Sequence, residues 1–167
     1  MKHLKKFLAV ALVCVMALTV LTGCGKSAKT YSSEIAGKLG ANSGVSADAE
    51  MDNSAKKLIN SIKKISPTEL AALAKDPDKA AAKAEQIIKE AGLDINTCKF
   101  SLSVSAPGTK LLVGMDGNTV QTGDTSTFFA EQIKKNNANT QNTKITKYGI
   151  GTYSVVGMVD IVVMVAQ

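Results

Sequence analysis

Apolar residues recur at helical spacing in four stretches of the chain, and four further stretches have the patterns of strands. The longest helical stretch, about residues 47–65, has apolar side chains at three- and four-residue steps, which predicts one buried stripe. A shorter helix is predicted after Ser66-Pro67, which forms a capping box with Glu69. Two more helices are predicted, one between Asp76-Pro77 and Gly92 and one over about residues 126–137.

The period changes to two after Asp94, which predicts strands. Residues 97–115 are expected to form a hairpin that turns at Pro107-Gly108, and a second pair of strands is predicted over about 144–153 and 158–166. The last strand is apolar on both alternating sets apart from Asp160, which is typical of a central strand covered on both faces. We therefore predict an α+β fold with N-terminal helices followed by an antiparallel sheet of about four strands with an inserted helix. If helices cover both faces, the fold is an α-β-α sandwich.

Residues 24–45 are rich in Ser, Gly, Ala and Lys and show no sustained period, which predicts a flexible tether. Ile35 and Leu39 stand at helical spacing, but Gly37, Gly40 and Gly44 disfavour a packed helix. A single α+β domain is accordingly expected over residues 46–167.

The N-terminal segment is patterned differently from the rest of the chain. Lys2, Lys5 and Lys6 precede an apolar run over residues 7–21, which is shorter than the roughly 20 residues that span a bilayer as a helix. The run ends in Leu21-Thr22-Gly23-Cys24, which resembles the lipobox of bacterial lipoproteins. The resemblance implies that residues 1–23 are a signal peptide and that Cys24 carries a diacylglyceryl anchor after cleavage. An ordinary secretory signal followed by a chance cysteine is the alternative.

Composition narrows the classes of partner. Removing residues 1–23, which contain three lysines and no acidic residue, lowers the net charge from +6 to +3. All 20 basic residues are lysine and Trp is absent, so the chain lacks the guanidinium forks and most of the aromatic faces used to bind nucleic acid. We expect no nucleic-acid partner. The first long helix carries four lysines, Lys56, Lys57, Lys63 and Lys64. Their face of the helix is either a solvated surface or a contact for anionic lipid headgroups.

Few residues are available for covalent or metal chemistry. The only histidine, His3, leaves with the signal peptide, so a mature chain cannot build a Ser-His nucleophile or a histidine-ligated zinc site. Once Cys14 is removed and Cys24 acylated, Cys98 is the only free thiol, and it is expected either to pack in the core or to be reactive. No cofactor is predicted.

Three further patterns contain residue types that can carry chemistry. Ser61 and Lys64 match the Ser-x-x-Lys spacing of penicillin-recognising enzymes, without the partner motifs. Asp116, Asn118 and Asp124 offer oxygen atoms to a calcium ion, although turn formation also explains the first two and the EF-hand spacing is absent. Asp160 would be an acid or base if burial raised its pKa, or a carboxylate at a strand end otherwise. None of these patterns predicts a defined metal or catalytic site.

The stretch Thr146–Tyr153, which contains Gly149-Ile150-Gly151, is followed by a turn and a final apolar strand. It resembles the closing hairpin of the CAP superfamily of cysteine-rich secretory and pathogenesis-related proteins. The resemblance covers about 40 residues and implies an α-β-α sandwich. The histidines that line the cavity of that family have no counterpart in the mature chain, so no site residue is carried over. Gly149-Ile150-Gly151 opens no helix and is no dinucleotide fingerprint.

These patterns predict a lipoprotein anchored through Cys24 on the extracytoplasmic face of the cell membrane. Its domain is expected to be non-enzymatic and to bind a cell-wall ligand or an envelope protein. The alternative is a small hydrolase or wall-modifying enzyme that uses carboxylates such as Asp116, Asp124, Glu131 or Asp160. A structural or assembly role is a third hypothesis.

Overall fold

A computed structural model describes residues 26–66, 68–69, 72–73, 76–94, 96–155 and 159–167 of the chain. The helices and strands bounded within these residues are α1 (Ala28–Leu39), β1 (Ser46–Ala47), α2 (Ala49–Lys63), α3 (Pro77–Glu90), β2 (Lys99–Ala106), β3 (Thr109–Val113), β4 (Thr119–Val120), α4 (Thr125–Ala138), β5 (Lys147–Val155) and β6 (Val159–Ala166). The predicted α+β fold is confirmed.

The strands form one six-stranded sheet in the order β1-β5-β6-β2-β3-β4. The four long strands are those predicted, and they pair antiparallel, whereas β1 pairs with β5 in parallel. β6 lies between β5 and β2, and its residues from Ile161 to Ala166 are all buried, which confirms a central strand covered on both faces. The edge strands β1 and β4 were not predicted, because each is only two residues long and too short to show an alternating pattern.

Helices cover both faces of the sheet and make the fold a three-layer α-β-α sandwich. On one face α2 and α3 enclose a core that includes Leu58, Ile87 and Leu102. On the other face α1 and α4 enclose a second core that includes Ile35 and Phe129. Alternate residues of β6 contribute to the two cores, so that strand joins both layers.

Polar side chains and a glycine cap the helix termini, and Ser66 and Gly92 are among the caps that were predicted. Asp48 caps α2 by accepting hydrogen bonds from two backbone N–H groups at 3.0 Å. After α3, Gly92 has φ of 79°, and the N–H of Leu93 donates to the carbonyl of Ile88 at 3.1 Å, as in a Schellman motif. The Ser66 hydroxyl accepts from the N–H of Glu69 at 3.2 Å, and the remainder of that predicted helix lies in part outside the described residues.

The prediction of a flexible tether without a packed helix is wrong for residues 28–39. These residues form α1, which is capped by Ser27 and buries Ile35 completely. The hydroxyl of Tyr148 in β5 donates to the carbonyl of Ser32 at 2.9 Å, and the Ser126 hydroxyl of α4 donates to Glu34 at 2.6 Å. These tertiary contacts outweigh the cost of about 1 kcal/mol that a glycine such as Gly37 imposes on a helix. The domain therefore includes α1.

Two glycines let the backbone of α2 lie directly on β5. A Cβ atom at Gly149 would overlap the backbone of Met51, and one at Gly151 would lie 2.5 Å from the carbonyl oxygen of Ala55. Side chains cannot fit between a helix and a strand at this separation, so glycine is required at both positions. The contact also brings the Asp52 carboxylate to the edge of β5, where it accepts a hydrogen bond from the N–H of Ile150 at 2.7 Å.

Gly151→Ala should lower the free energy of unfolding by about 1–3 kcal/mol, because the new methyl group must push α2 away from β5. The control is Gly37→Ala in α1, where the new Cβ meets nothing within 4 Å. That variant should be more stable by up to about 1 kcal/mol, because alanine is the better helix former. Urea denaturation of both variants tests the opposite signs, and equal effects would contradict this packing.

Ile35→Ala should destabilise the domain by about 2–5 kcal/mol, because it leaves a cavity between α1 and α4. Lys29→Ala, on the exposed side of the same helix, should change stability by less than about 0.5 kcal/mol. If α1 did not pack on the sheet, both variants would unfold at the same denaturant concentration as the wild type.

Candidate functional site

Helix α4 positions most of the polar groups that surround the clefts of this domain. Asp124 caps its N-terminus, because its carboxylate accepts from the N–H and the hydroxyl of Thr127, both at 2.8 Å. The buried side of the helix, with Phe129 and Ile133, faces the sheet. Its exposed side borders two neighbouring clefts.

The first cleft has a volume of about 260 Å³ and is rich in carboxamide side chains. We call it the asparagine cleft; its lining residues are Lys99, Met115, Asp116, Gln132, Lys135, Asn136, Asn139 and Asn142. They come from the start of β2, from the loop after β3, from α4 and from the loop after α4. The cleft therefore lies where two polar loops that are distant in sequence meet.

Hydrogen bonds hold both loops against α4. The Gln132 carboxamide oxygen accepts from the N–H of Met115 at 3.1 Å and so fixes the loop after β3. The Asn136 amide donates to the carbonyl of Thr143 at 2.9 Å. The neighbouring Asn137 accepts from the N–H of Ile145 at 2.7 Å and donates to its carbonyl at 2.9 Å. The walls of the cleft are thus preorganised by side chains of the helix itself.

Several polar groups of the cleft remain available to a ligand. Among the described residues, the Gln132 amide nitrogen, the Asn142 carboxamide and the Lys99 ammonium group form no hydrogen bond or ion pair within the protein. Ser101 follows Lys99 on the same face of β2, and its hydroxyl is fully buried without a hydrogen-bond partner. Because Ser101 is fully buried and does not line the cleft, its hydroxyl is not among the groups that a ligand can reach.

Ion pairing fixes the charge of the asparagine cleft. The Lys135 ammonium group lies 3.2 Å from the Asp116 carboxylate, which also accepts from the N–H of Asn118 at 3.0 Å. Burial acts to raise the pKa of Asp116, but these hydrogen bonds outweigh it and the pKa is lowered. Asp116 is therefore an anion at neutral pH and neutralises Lys135. Lys99 gives the cleft its net positive charge.

The second cleft, on the other side of Gln132 and Lys135, has a volume of about 520 Å³ and an apolar floor. Leu112 and Phe128 contribute to this floor with Val120, whose side chain on the edge strand β4 is 43% exposed. Asp124 and Glu131 lie at its rim. The hydrogen bond from Thr127 and, less strongly, the nearby lysines lower the pKa of Asp124, which is the opposite of what a general acid requires.

The carboxylates named for the enzyme alternative lie in three different places in the structure. Asp116 lines the asparagine cleft and Asp124 and Glu131 line the second cleft. Asp160 is half-buried at the start of β6, opposite Ser105 and Ser154, at the far end of the sheet from the asparagine cleft. Among the described residues, no group of three or more His, Cys, Asp or Glu side chains is placed to hold a metal ion.

The other candidate residues have structural roles or lie outside the described part of the chain. Cys98 is buried, and burial raises the pKa of its thiol, as expected for a core residue. The contact between Ser61 and Lys64 is a backbone hydrogen bond of 3.2 Å at the end of α2. The calcium candidate Asn118 donates its amide to Asp116 at 2.7 Å within a turn. Cys24 lies outside the described residues.

The carboxamides of the cleft were not predicted as site residues. Asn136, Asn139 and Asn142 recur every third residue in a stretch that ends a helix, and this spacing was the available signal. The sequence contains no signal for Lys99 or Gln132, because a lysine at the start of a strand and a glutamine in a helix are both ordinary surface residues.

Comparison with known proteins does not assign this fold or its clefts. No protein family, no curated protein and no solved structure matches the chain at a significant level. The resemblance to the CAP superfamily therefore stays a prediction. Within the part of the chain that the structure describes, none of the helices has the length and apolar content needed to cross a membrane.

Asp124→Ala should cost about 1 kcal/mol at pH 7, because α4 loses its N-cap. The folded-state pKa of Asp124 lies below the unfolded value of about 3.9, so the stability that its charge provides is present above that pH and is lost as the pH falls. The difference between wild type and Asp124→Asn, which keeps an acceptor but no charge, should thus shrink from pH 7 to pH 3. Thermal unfolding of both proteins at pH 7 and pH 3 measures this difference in stability. A difference that is larger at pH 3 would contradict the role of the Asp124 charge as the cap of α4.

Proposed function

We propose that this chain is a lipoprotein anchored through Cys24 on the extracytoplasmic face of the cell membrane, whose domain binds a polar ligand in the asparagine cleft without catalysing a reaction. The observation that carries the binding proposal is the convergence of carboxamides from α4 and the following loop on one cleft, with Lys99 at its side. The lipobox at residues 21–24 supports the anchor.

The side chains of the cleft indicate the chemistry of the ligand. Carboxamides donate and accept hydrogen bonds at once, so they suit amide and hydroxyl groups. Lys99 adds a positive charge that the Asp116–Lys135 ion pair leaves uncompensated. A ligand with several amide or hydroxyl groups and a carboxylate meets both requirements, and peptide-bearing fragments of the cell wall have this chemistry.

The alternative, a wall-modifying enzyme that uses carboxylates, has weaker support. Acid-base catalysis needs two carboxyl groups near one substrate, with a raised pKa on the group that acts as the acid. Asp124 and Glu131 share the second cleft, but the pKa of Asp124 is lowered, and Asp116 lines the asparagine cleft with a lowered pKa as well, so neither aspartate is suited to donate a proton. The second cleft, with the exposed side chain of Val120, is better suited to contact an apolar group of a partner than to cleave a polar bond.

The binding proposal is tested by thermal unfolding of the fragment Lys26–Gln167 with wall-derived peptides and disaccharide peptides. A ligand at 100 times its dissociation constant should stabilise the fragment by roughly 2.7 kcal/mol. Asn142→Ala and Lys99→Gln should remove most of this shift, because each takes away an available group of the cleft.

The control is Asn53→Ala, which replaces an exposed asparagine of α2 in the opposite layer. This variant should retain the full shift. An equal shift in wild type and Asn142→Ala would place the ligand elsewhere, and release of a cleaved product from the disaccharide peptides would favour the enzyme.

A further inference from the structure

The proposed point of lipid attachment is close in sequence to the first described residue of the domain. Cys24 precedes Lys26 by two residues, so their Cα atoms lie within about 7 Å of each other. Lys26 in turn forms an ion pair of 2.7 Å with Glu34 of α1, and the second carboxylate oxygen of Glu34 accepts from Ser126 of α4 at 2.6 Å. A lipid on Cys24 would therefore hold the body of the domain beside the headgroups, with almost no tether between them.

The N-terminus of α1 lies at the end of the sheet where β5 finishes and β6 begins, which we call the anchor end. Helix α1 runs in the same direction as α4, because Glu34 accepts from Ser126 at the start of α4 at 2.6 Å and the carbonyl of Lys38 accepts from Lys134 near its end at 2.7 Å. Since α4 ends where Asn137 bonds to Ile145 at the opposite end of the sheet, the N-terminus of α1 is directed toward the anchor end. Burial raises the pKa of Tyr31, and so does the nearby charge of Asp160, which agrees with this placement. Asp160 is paired across the sheet with Ser154 of β5 and Ser105 of β2. The C-terminus of α2 reaches the same end, because the Lys63 ammonium group lies 4.1 Å from the ring centre of Tyr153.

Lysines predominate at the anchor end. They are Lys26 just before α1, Lys29 in its first turn, Lys63 and Lys64 at the end of α2, and Lys110, which is paired with Ser105. The nearby carboxylates are those of Glu34, Asp124 and Asp160, of which Glu34 forms an ion pair with Lys26 and Asp124 lies 3.8 Å from the Lys38 ammonium group. In the segment after α2, the carboxylates of Glu69 and Asp76 form ion pairs with lysines of α3. The exposed ammonium groups give this end an excess of positive charge.

We propose that the anchor end is a docking surface for an anionic phospholipid bilayer, and that the domain is seated on the membrane with Lys29, Lys64 and Lys110 among the headgroups. This inference rests on the lipid anchor of the proposed function. The lysines lie at the same end of the sheet as the short link to Cys24. The lipid and the positive charge would therefore act on the same side of the molecule. The loops of the asparagine cleft flank the opposite end of the sheet, where β6 finishes and β2 starts, and would face away from the bilayer.

The seating is tested on the full chain, purified from membranes and reconstituted into vesicles that contain about 30% phosphatidylglycerol. A water-soluble amine-acetylating reagent is applied, and the modification rate of each lysine is measured by mass spectrometry in vesicles and in neutral detergent. Lys29, Lys64 and Lys110 should react at least roughly threefold more slowly in the vesicles, because the headgroups cover them. Lys144, which is exposed at the opposite end of the sheet, and Lys57 of α2 serve as internal controls and should react at unchanged rates.

The outcomes separate the anchor from the seating. The intact mass of the purified protein shows whether Cys24 carries its lipid. The seating is overturned if the protein carries its lipid but each of the five lysines reacts at the same rate in vesicles as in detergent. Slower reaction of Lys144 in vesicles would overturn it as well. Either result would leave the anchor intact. A protein without lipid would overturn both, since the link through Cys24 would be absent. Protection that persists in vesicles of phosphatidylcholine alone would contradict the role of anionic headgroups.

Discussion

The contact between the backbone of α2 and the glycines of β5 is the constraint on which the rest of this structure depends. Gly149 and Gly151 remove the side chains that would otherwise separate the two elements. As a result, the chain before α2 runs along β5, where β1 pairs with it and Asp52 accepts the N–H of Ile150. Edge strands with unpaired backbone groups tend to bind other chains. Here the segment from β1 to Asp52 satisfies part of that edge.

This arrangement gives the two ends of the sheet different surroundings. β5 runs from the end where Thr146 and Lys147 bond to the carbonyl of Gln167 to the end where Val155 pairs with Val159. The N-terminus of α1 is directed toward the second end, and the loops that follow β3 and α4 lie near the first. Since β5 is nine residues long, about 30 Å separate the two ends. A polar cleft and a lysine-rich surface can therefore act without interfering with each other.

The long elements could be predicted from the sequence because each one carries its own local signal. The stripe of α2, the Asp76 and Gly92 caps of α3 and the alternation of β2 depend on neighbouring residues only. α1 could not be predicted, because its stability comes from contacts of Ile35 and Ser32 with residues more than 90 positions away. The asparagine cleft could not be predicted either, because it too depends on residues that are distant in sequence. Asparagines in a loop are ordinary turn residues until the fold places Lys99 and Gln132 beside them.

Hydrogen-deuterium exchange of the membrane-bound full chain, with and without a peptide-bearing wall fragment, tests most directly whether the cleft is the binding site. The described contacts predict slower amide exchange on ligand addition in residues 114–118 and 136–146, whose loops the ligand would bridge. Exchange near β4 and near the ends of β5 and β6 beside Asp160 should stay unchanged. Protection confined to either of those regions, with none around Asn139 and Asn142, would contradict the account.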